Sequence, residues 1–268
     1  MKKITLFIIC LYITINASSQ VLYGNTGLLH MPTAEMQNDK TFMFGGNYLD
    51  KHFLAPYWNN PNYNHTYNYF INITFFPWLE ISYTCTLVKG QPSNYWPPQT
   101  WGKFVNQDRH FSGRIRLWKE GWLNKWTPQI VIGSNDPGSF NNCGGGKINF
   151  EQKGATHNYF NRYFISATKH LEFKNIGELG VHLTYIYSRA QELNYDGMAI
   201  GVNYKINLKE LISSYKYLNN LNLMAEYDVR FLNLGFSYAL WKDYINIICS
   251  WDECKYFSGG IYFKVHLK

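Results

Sequence analysis

Residues 67–87 read YNYFINITFFPWLEISYTCTL, and two runs within them alternate residue by residue. Tyr67, Tyr69, Ile71, Ile73 and Phe75 fall on one side, opposed by Asn68, Asn72 and Thr74. In the second run Leu79, Ile81, Tyr83, Cys85 and Leu87 oppose Glu80, Ser82, Thr84 and Thr86. Only an extended chain separates side chains with a period of two, so each run is a strand with one apolar and one polar face. The short Phe76-Pro77-Trp78 connection between them makes the pair an antiparallel hairpin.

The same pattern recurs along the chain. Further alternating runs begin near Thr41, Phe111, Gln129, Tyr159, Glu178, Gly197, Leu221, Phe231, Tyr244 and Tyr256. The total is about twelve strands of roughly eight to eleven residues, the length a tilted strand needs to cross a bilayer. Long connections (50–66, 90–110 and 134–157) alternate with short ones such as 76–78 and 240–243. A transmembrane barrel has this asymmetry, with long outer loops and short inner turns. The rule breaks at 207–220, a long inner connection, and at the last two outer loops, which are tight. An even strand count with both ends on one side satisfies closure. Helical periodicity is weak and confined to 208–217.

Composition narrows the class. Lys2 and Lys3 precede an apolar run from Ile4 to Ile15, and Ala17 and Ser19 are the small residues that a signal peptidase reads. Residues 1–19 are therefore expected to be a signal peptide, cleaved before Gln20, with Sec-type export to follow. No later segment approaches the about 18 continuous apolar residues of a membrane helix, which excludes a helical membrane protein. Aromatic residues nevertheless make up 18% of the chain while its mean hydropathy is −0.31, a combination that fits a water-soluble sandwich or an outer-membrane barrel. Aromatic clusters near strand ends favour the barrel: Phe76 with Trp78, Trp118 with Trp122 and Trp126, Tyr185 with Tyr187, and Trp241 with Tyr244. Such rings prefer the headgroup level of a bilayer.

The expected fold is thus all-β, a closed antiparallel transmembrane barrel of up-and-down topology over 41–268, preceded by a lead-in segment at 20–40. The expected location is the outer membrane of a Gram-negative bacterium, with its lipid as the first partner. Lys and Arg number 25 against 18 Asp and Glu. That mild basicity suits an anionic glycan or headgroup, because an exported protein seldom meets nucleic acid.

Candidate chemistry is sparse. Gly24-Asn-Thr-Gly27 has the look of a phosphate cradle, but no strand precedes it and Pro32 soon follows, so a turn or close-packing role is favoured. This lead-in belongs either at the inner mouth or folded into the lumen, where it would be a plug. The glycine-rich 141–146 stretch falls in a long loop. The eight histidines include no HxH or HxxxH pair, so no metal site and no cofactor are expected. Catalysis is not expected either, since there is no GxSxG elbow; the residual candidate for a hydrolase is Ser166 with His182. Cys249 and Cys254 are close enough in sequence to pair, and equally suited to standing free.

The polar faces carry the sharper signal. Taking the apolar face of each strand as outward, the inward set includes Glu80, Arg114, Arg116, Arg162, Glu178, His182, Lys205, Glu226, Asp228 and Lys264. Such mixed charge reads either as an ion-pair network filling a narrow barrel or as a hydrated path for a charged polymer. On the second reading Arg114, Arg116, Arg162, Lys205 and Lys264 contact the polymer, positioned by Glu80, Glu226 and Asp228.

Several motifs in order resemble one family. Gly24-x-x-Gly27, then Met31-Pro32-Thr33-Ala34, then a strand with Gly45-Gly46 and Tyr48 open the match. Asp108-Arg109 leads into Arg116-Leu-Trp-Lys-Glu-Gly121, followed by Pro128-Gln-Ile-Val-Ile-Gly133-x-x-Asp136-x-Gly138 and Ala167-Thr-Lys169. Glu226-Tyr-Asp228 and Asn233-Leu-Gly235-Phe-Ser-Tyr238 complete it. Together they resemble the YjbH-like (GfcD-type) outer-membrane β-barrel family. The resemblance implies a non-enzymatic barrel belonging to an exopolysaccharide or capsule secretion system, working with other export proteins. The alternatives are a barrel-scaffolded hydrolase of lipid or peptide, and a structural or adhesive surface barrel.

Overall fold

The computed structural model describes residues 22–52, 64–92, 96–137, 160–188, 195–208 and 213–267. Twelve strands follow one another: β1 (Thr41–Leu49), β2 (Thr66–Phe76), β3 (Leu79–Lys89), β4 (Phe104–Trp118), β5 (Gln129–Asn135) and β6 (Arg162–Phe173), then β7 (Gly177–Tyr187), β8 (Gly197–Ile206), β9 (Leu221–Tyr227), β10 (Leu232–Leu240), β11 (Ile245–Asp252) and β12 (Tyr256–His266). Each pairs antiparallel with its sequence neighbours, and β1 pairs with β12 from Thr41↔His266 to Tyr48↔Gly259. The sheet is a closed barrel with no edge along that seam.

The wall is inside-out relative to a soluble sheet. In β2, Asn68, Asn72 and Thr74 are 4%, 1% and 0% exposed, whereas Tyr67, Tyr69, Ile71 and Phe75 are all close to half exposed. In β3, Glu80, Ser82, Thr84 and Thr86 are buried and Ile81 faces outward. The polar face of each alternating run thus lines the lumen, and the apolar face forms the outer surface. Phe70 interrupts the polar face of β2; it points inward at 2% exposure and lies beneath Gly24 of the lead-in.

Strand starts differ from expectation chiefly in β4. Its alternation is legible from Phe111, but the strand begins at Phe104 and pairs with β3 as far as Lys89. The polar run Asn106 to Arg109 hides the period there, and the register with β3 enforces extension regardless. The 207–220 connection ends in a 3-10 turn at Ser213–Asn220, where the weak helical signal lay. The two tight connections near the end of the chain are present as well: β9 to β10 turns at 228–231 and β11 to β12 at 253–255. Cys85, Cys249 and Cys254 are free thiols. Cys143, Gly138, residues 1–19 and most of the 134–157 loop lie outside the described residues.

Candidate functional site

The lumen is where the polar side chains converge, and it is occupied by the chain's own lead-in. Every residue from Leu22 to Gln37 is buried. Leu22, Leu28, Leu29, Met31 and Ala34 form the hydrophobic core together with inward residues such as Phe70, Phe164, Met224 and Ile248. Locally the segment is a small hairpin. Gly27 bridges Pro32, the Leu22 N–H donates to the Leu29 carbonyl at 2.9 Å, and the Leu28 N–H donates to Met31 at 3.1 Å. Gly24 sits at φ +85°, and a Cβ there would lie 2.3 Å from Thr84 Oγ1, so both its conformation and its contact require glycine.

Two carboxylates hold the N–H side of this hairpin. Glu226 accepts from the backbone of Leu29 at 3.0 Å, His30 at 2.7 Å and Met31 at 3.2 Å. Glu80 accepts from the Thr26 N–H at 2.9 Å and its hydroxyl at 2.6 Å, and Asn72 steadies it at 2.8 Å. Two guanidiniums hold the carbonyl side. Arg114 spans both arms of the hairpin, donating to the carbonyls of Thr26 and Thr33 and to that of Glu35 at 2.7 Å. Arg162 donates to the His30 carbonyl at 2.7 Å and to Asn135 Oδ1 at 2.7 Å, and its guanidinium covers the Tyr23 ring at 3.9 Å. These four charges are each at most 2% exposed, and hydrogen bonds to ionised groups are the strong class in a dry interior.

Neutral side chains complete the grip. Asn68 donates to the Leu22 carbonyl, Thr84 to Tyr23, Thr184 to Pro32 and Gln129 to Ala34, while Thr168 accepts from the Ala34 N–H. His30 Nε2 meets Asp252 Oδ1 at 2.7 Å, and Ser250 and Ser258 donate to the same carboxylate.

At the end of the barrel where β1 starts, the lead-in leaves through a charged cluster. Glu35 Oε1 contacts His170 Nε2 at 3.1 Å and Lys205 Nζ at 3.1 Å. His170 Nδ1 reaches Glu120 at 2.6 Å, and Lys169 pairs with the same carboxylate at 2.6 Å. Burial acts to raise the Glu120 carboxyl, but hydrogen bonds from His170 and Lys169 outweigh it and hold the group at about 2. Glu120 lies in the β4–β5 connection, so that turn is tied through His170 to the lead-in.

The remaining candidate residues are placed as follows. Lys205 is shared between Glu35 and Glu178. Lys264 is buried beside Asp243 at 3.5 Å. Arg116 is half-buried and donates to Gln129 Oε1 at 3.5 Å. Asp228 closes the β9–β10 turn, accepting from the N–H groups of Arg230 and Phe231 and from the Tyr195 hydroxyl. Gly133 faces Phe164, where a Cβ would come within 2.4 Å of the ring. Asp136, at φ +48°, ends β5 by donating to the Phe111 carbonyl. Pro32, Thr33 and Ala34 lie in the plug itself. The polymer-contact set is therefore split: Arg114, Arg162, Lys205, Glu80 and Glu226 are engaged by the lead-in, whereas Arg116, Lys264 and Asp228 are bonded elsewhere.

Ser166 and His182 both line the lumen but serve separate bonds. Ser166 Oγ lies 2.9 Å from Thr184 Oγ1 and 3.4 Å from the Pro32 carbonyl. His182 Nδ1 contacts Thr168 at 2.9 Å and Nε2 contacts Asn203 Oδ1 at 2.8 Å. Because an amide oxygen only accepts, Nε2 carries a proton. Among the described residues no group of three or more His, Cys, Asp or Glu is arranged to hold a metal ion.

Sequence reasoning did not single out Asp252, Glu35, His170, Glu120 or Thr168. Asp252 and His170 lie on inward faces, but their partners His30, Glu35 and Glu120 sit in irregular segments, and no spacing rule joins them.

No curated protein matches the chain. The model of the YjbH family, described as an exopolysaccharide biosynthesis protein, matches residues 19–141, which take in the lead-in and the first five strands, and over that span the chain is similar to that family.

Proposed function

We propose that this chain is a non-enzymatic outer-membrane barrel that assists export or surface assembly of an exopolysaccharide. The observation that carries the membrane half is the inverted wall: a closed ring of strands with aromatic and aliphatic residues outside and amides, hydroxyls and charges inside. The exopolysaccharide half rests on the family match. The lumen in this state is closed to a polymer, because the groups best suited to an anionic chain are bonded to the lead-in. Passage through the barrel requires the lead-in to leave; with it in place the barrel acts as a docking element for other export proteins.

The test pairs cell fractionation with a deletion strain. The protein should sediment with outer membranes, migrate faster before heating than after, and its loss should reduce surface glycan. Normal glycan in the deletion strain, or recovery of the protein in the soluble fraction, would reject the reading.

A further inference from the structure

We propose that the lumen wall is a peptide-binding site, and that the lead-in is its ligand, held by recognition and not merely by its covalent link to β1. The grip is the first reason. Among the described residues the hairpin's own backbone bonds are internal, Leu22 to Leu29 and Leu28 to Met31, and no strand of the barrel forms a ladder with it. The wall reads the backbone instead through side chains, with Glu226 and Glu80 on N–H groups and Arg114, Arg162, Thr84 and Thr184 on carbonyls. That set is complementary to one conformation: a tight hairpin presenting three successive N–H groups to a single carboxylate.

The second reason is that the wall carries pockets for particular side chains. Gly201 leaves the space that Leu28 and Met31 fill; a Cβ there would lie 2.4 Å from Leu28 Cδ1 and 2.7 Å from Met31 Sδ. Gly235 does the same for Leu29, at 2.7 Å from Cδ2. Asp252 selects the imidazole at position 30. Backbone readers set the shape of the ligand, and these pockets set its sequence, a Leu-Leu-His-Met tip. The link, by contrast, is plain: Asn38, Asp39 and Lys40 are exposed and join the plug to β1. A short tether of this kind raises effective concentration to the order of millimolar without adding a contact. The ligand class is thus a hairpin peptide with that tip, supplied here in cis and able to be supplied in trans.

The experiment keeps the full chain. Asn38–Lys40 are replaced by a protease recognition sequence, the protein is folded in detergent, and the link is then cut. The expected result is that the lead-in fragment stays with the barrel through gel filtration. A labelled synthetic peptide of residues 22–37 should exchange into the cut protein and be displaced by the unlabelled peptide but not by a scrambled one. A peptide carrying His30→Ala should compete on the order of tenfold less well, having lost a bond to a charged acceptor. Immediate loss of the fragment, or equal competition by the scrambled peptide, overturns the proposal. A wall variant, Gly201→Leu, supplies an independent arm: it should shed the fragment while the barrel keeps its heat-dependent migration. Undiminished retention in that variant overturns the assigned pocket. All readouts are made in detergent, so they stand apart from the glycan and membrane tests above.

Discussion

At the residue scale, the decisive side chains are buried charges whose partners are backbone groups. Glu226 shows what this costs to disturb. Replacing it with alanine leaves three buried N–H groups without an acceptor, each costing about 1–3 kcal/mol. We expect Glu226→Ala to lower stability by at least about 3 kcal/mol, read as a lower urea midpoint for loss of the fast-migrating form. Glu226→Gln, which keeps one acceptor oxygen, should lose less. Glu120 gives a pH prediction. Its folded pKa of about 2 lies below the usual 4.5, so its contribution is complete above about 4.5 and is lost as pH falls towards 2. The fluorescence of Trp118, Trp122 and Trp126 around that turn should change between those limits in the native protein. The same change in Glu120→Gln would show that another group is responsible. Neither role was visible from spacing, since Glu226 is known as inward from alternation alone while its acceptor role depends on where Leu29, His30 and Met31 come to rest.

At the element scale, the strands were legible and the lead-in was only partly so. An alternating run such as Leu79 to Leu87 specifies both its conformation and its two faces, because a slip of one residue would put Glu80 and Thr84 into the apolar exterior. The Leu22–Gln37 segment has no period, and its conformation comes from the wall that surrounds it. Gly24 and Gly27 marked it as turn-rich, which left the mouth and the lumen open as places for it. Contacts with Glu80, Glu226, Arg114 and Arg162, drawn from four different strands, resolve that choice. Seating of the plug can therefore be disturbed from the wall. Gly201→Ala should crowd Leu28 and Met31 and make the lead-in susceptible to protease while the barrel core resists; equal resistance of both would show that the hairpin adapts.

At the scale of the whole molecule, the inverted wall governs behaviour. A charge placed on the outer face should be costly in a bilayer, and the same charge in the lumen should be tolerated where polar partners exist. Ile71→Arg, halfway along β2, should reduce folding into vesicles by about 2–4 kcal/mol if β2 crosses at mid-depth. Arg placed in the exposed 119–128 turn, for instance Asn124→Arg, should cost little. Equal losses for the two substitutions would argue against a lipid-facing exterior. Because the lumen is filled, a single-channel recording of the intact protein should show little conductance, and Gly201→Leu should raise it. An open intact channel would mean that the lead-in leaves readily.

Sequence alone determined the strand periodicity, the even closure and the division of each strand into an apolar and a polar face. Those properties are local: they follow from a two-residue repeat and from the length of each run. It also placed Arg114, Arg162, Glu80 and Glu226 on the polar face, without determining whether they met a polymer, one another or the chain itself. Tertiary structure decided that, because the lumen exists only once β1 has paired with β12. Inside a closed wall, buried charges must find partners. The backbone of the Leu22–Gln37 hairpin provides them, which is why residues far apart in the chain, such as His30 and Asp252, meet there.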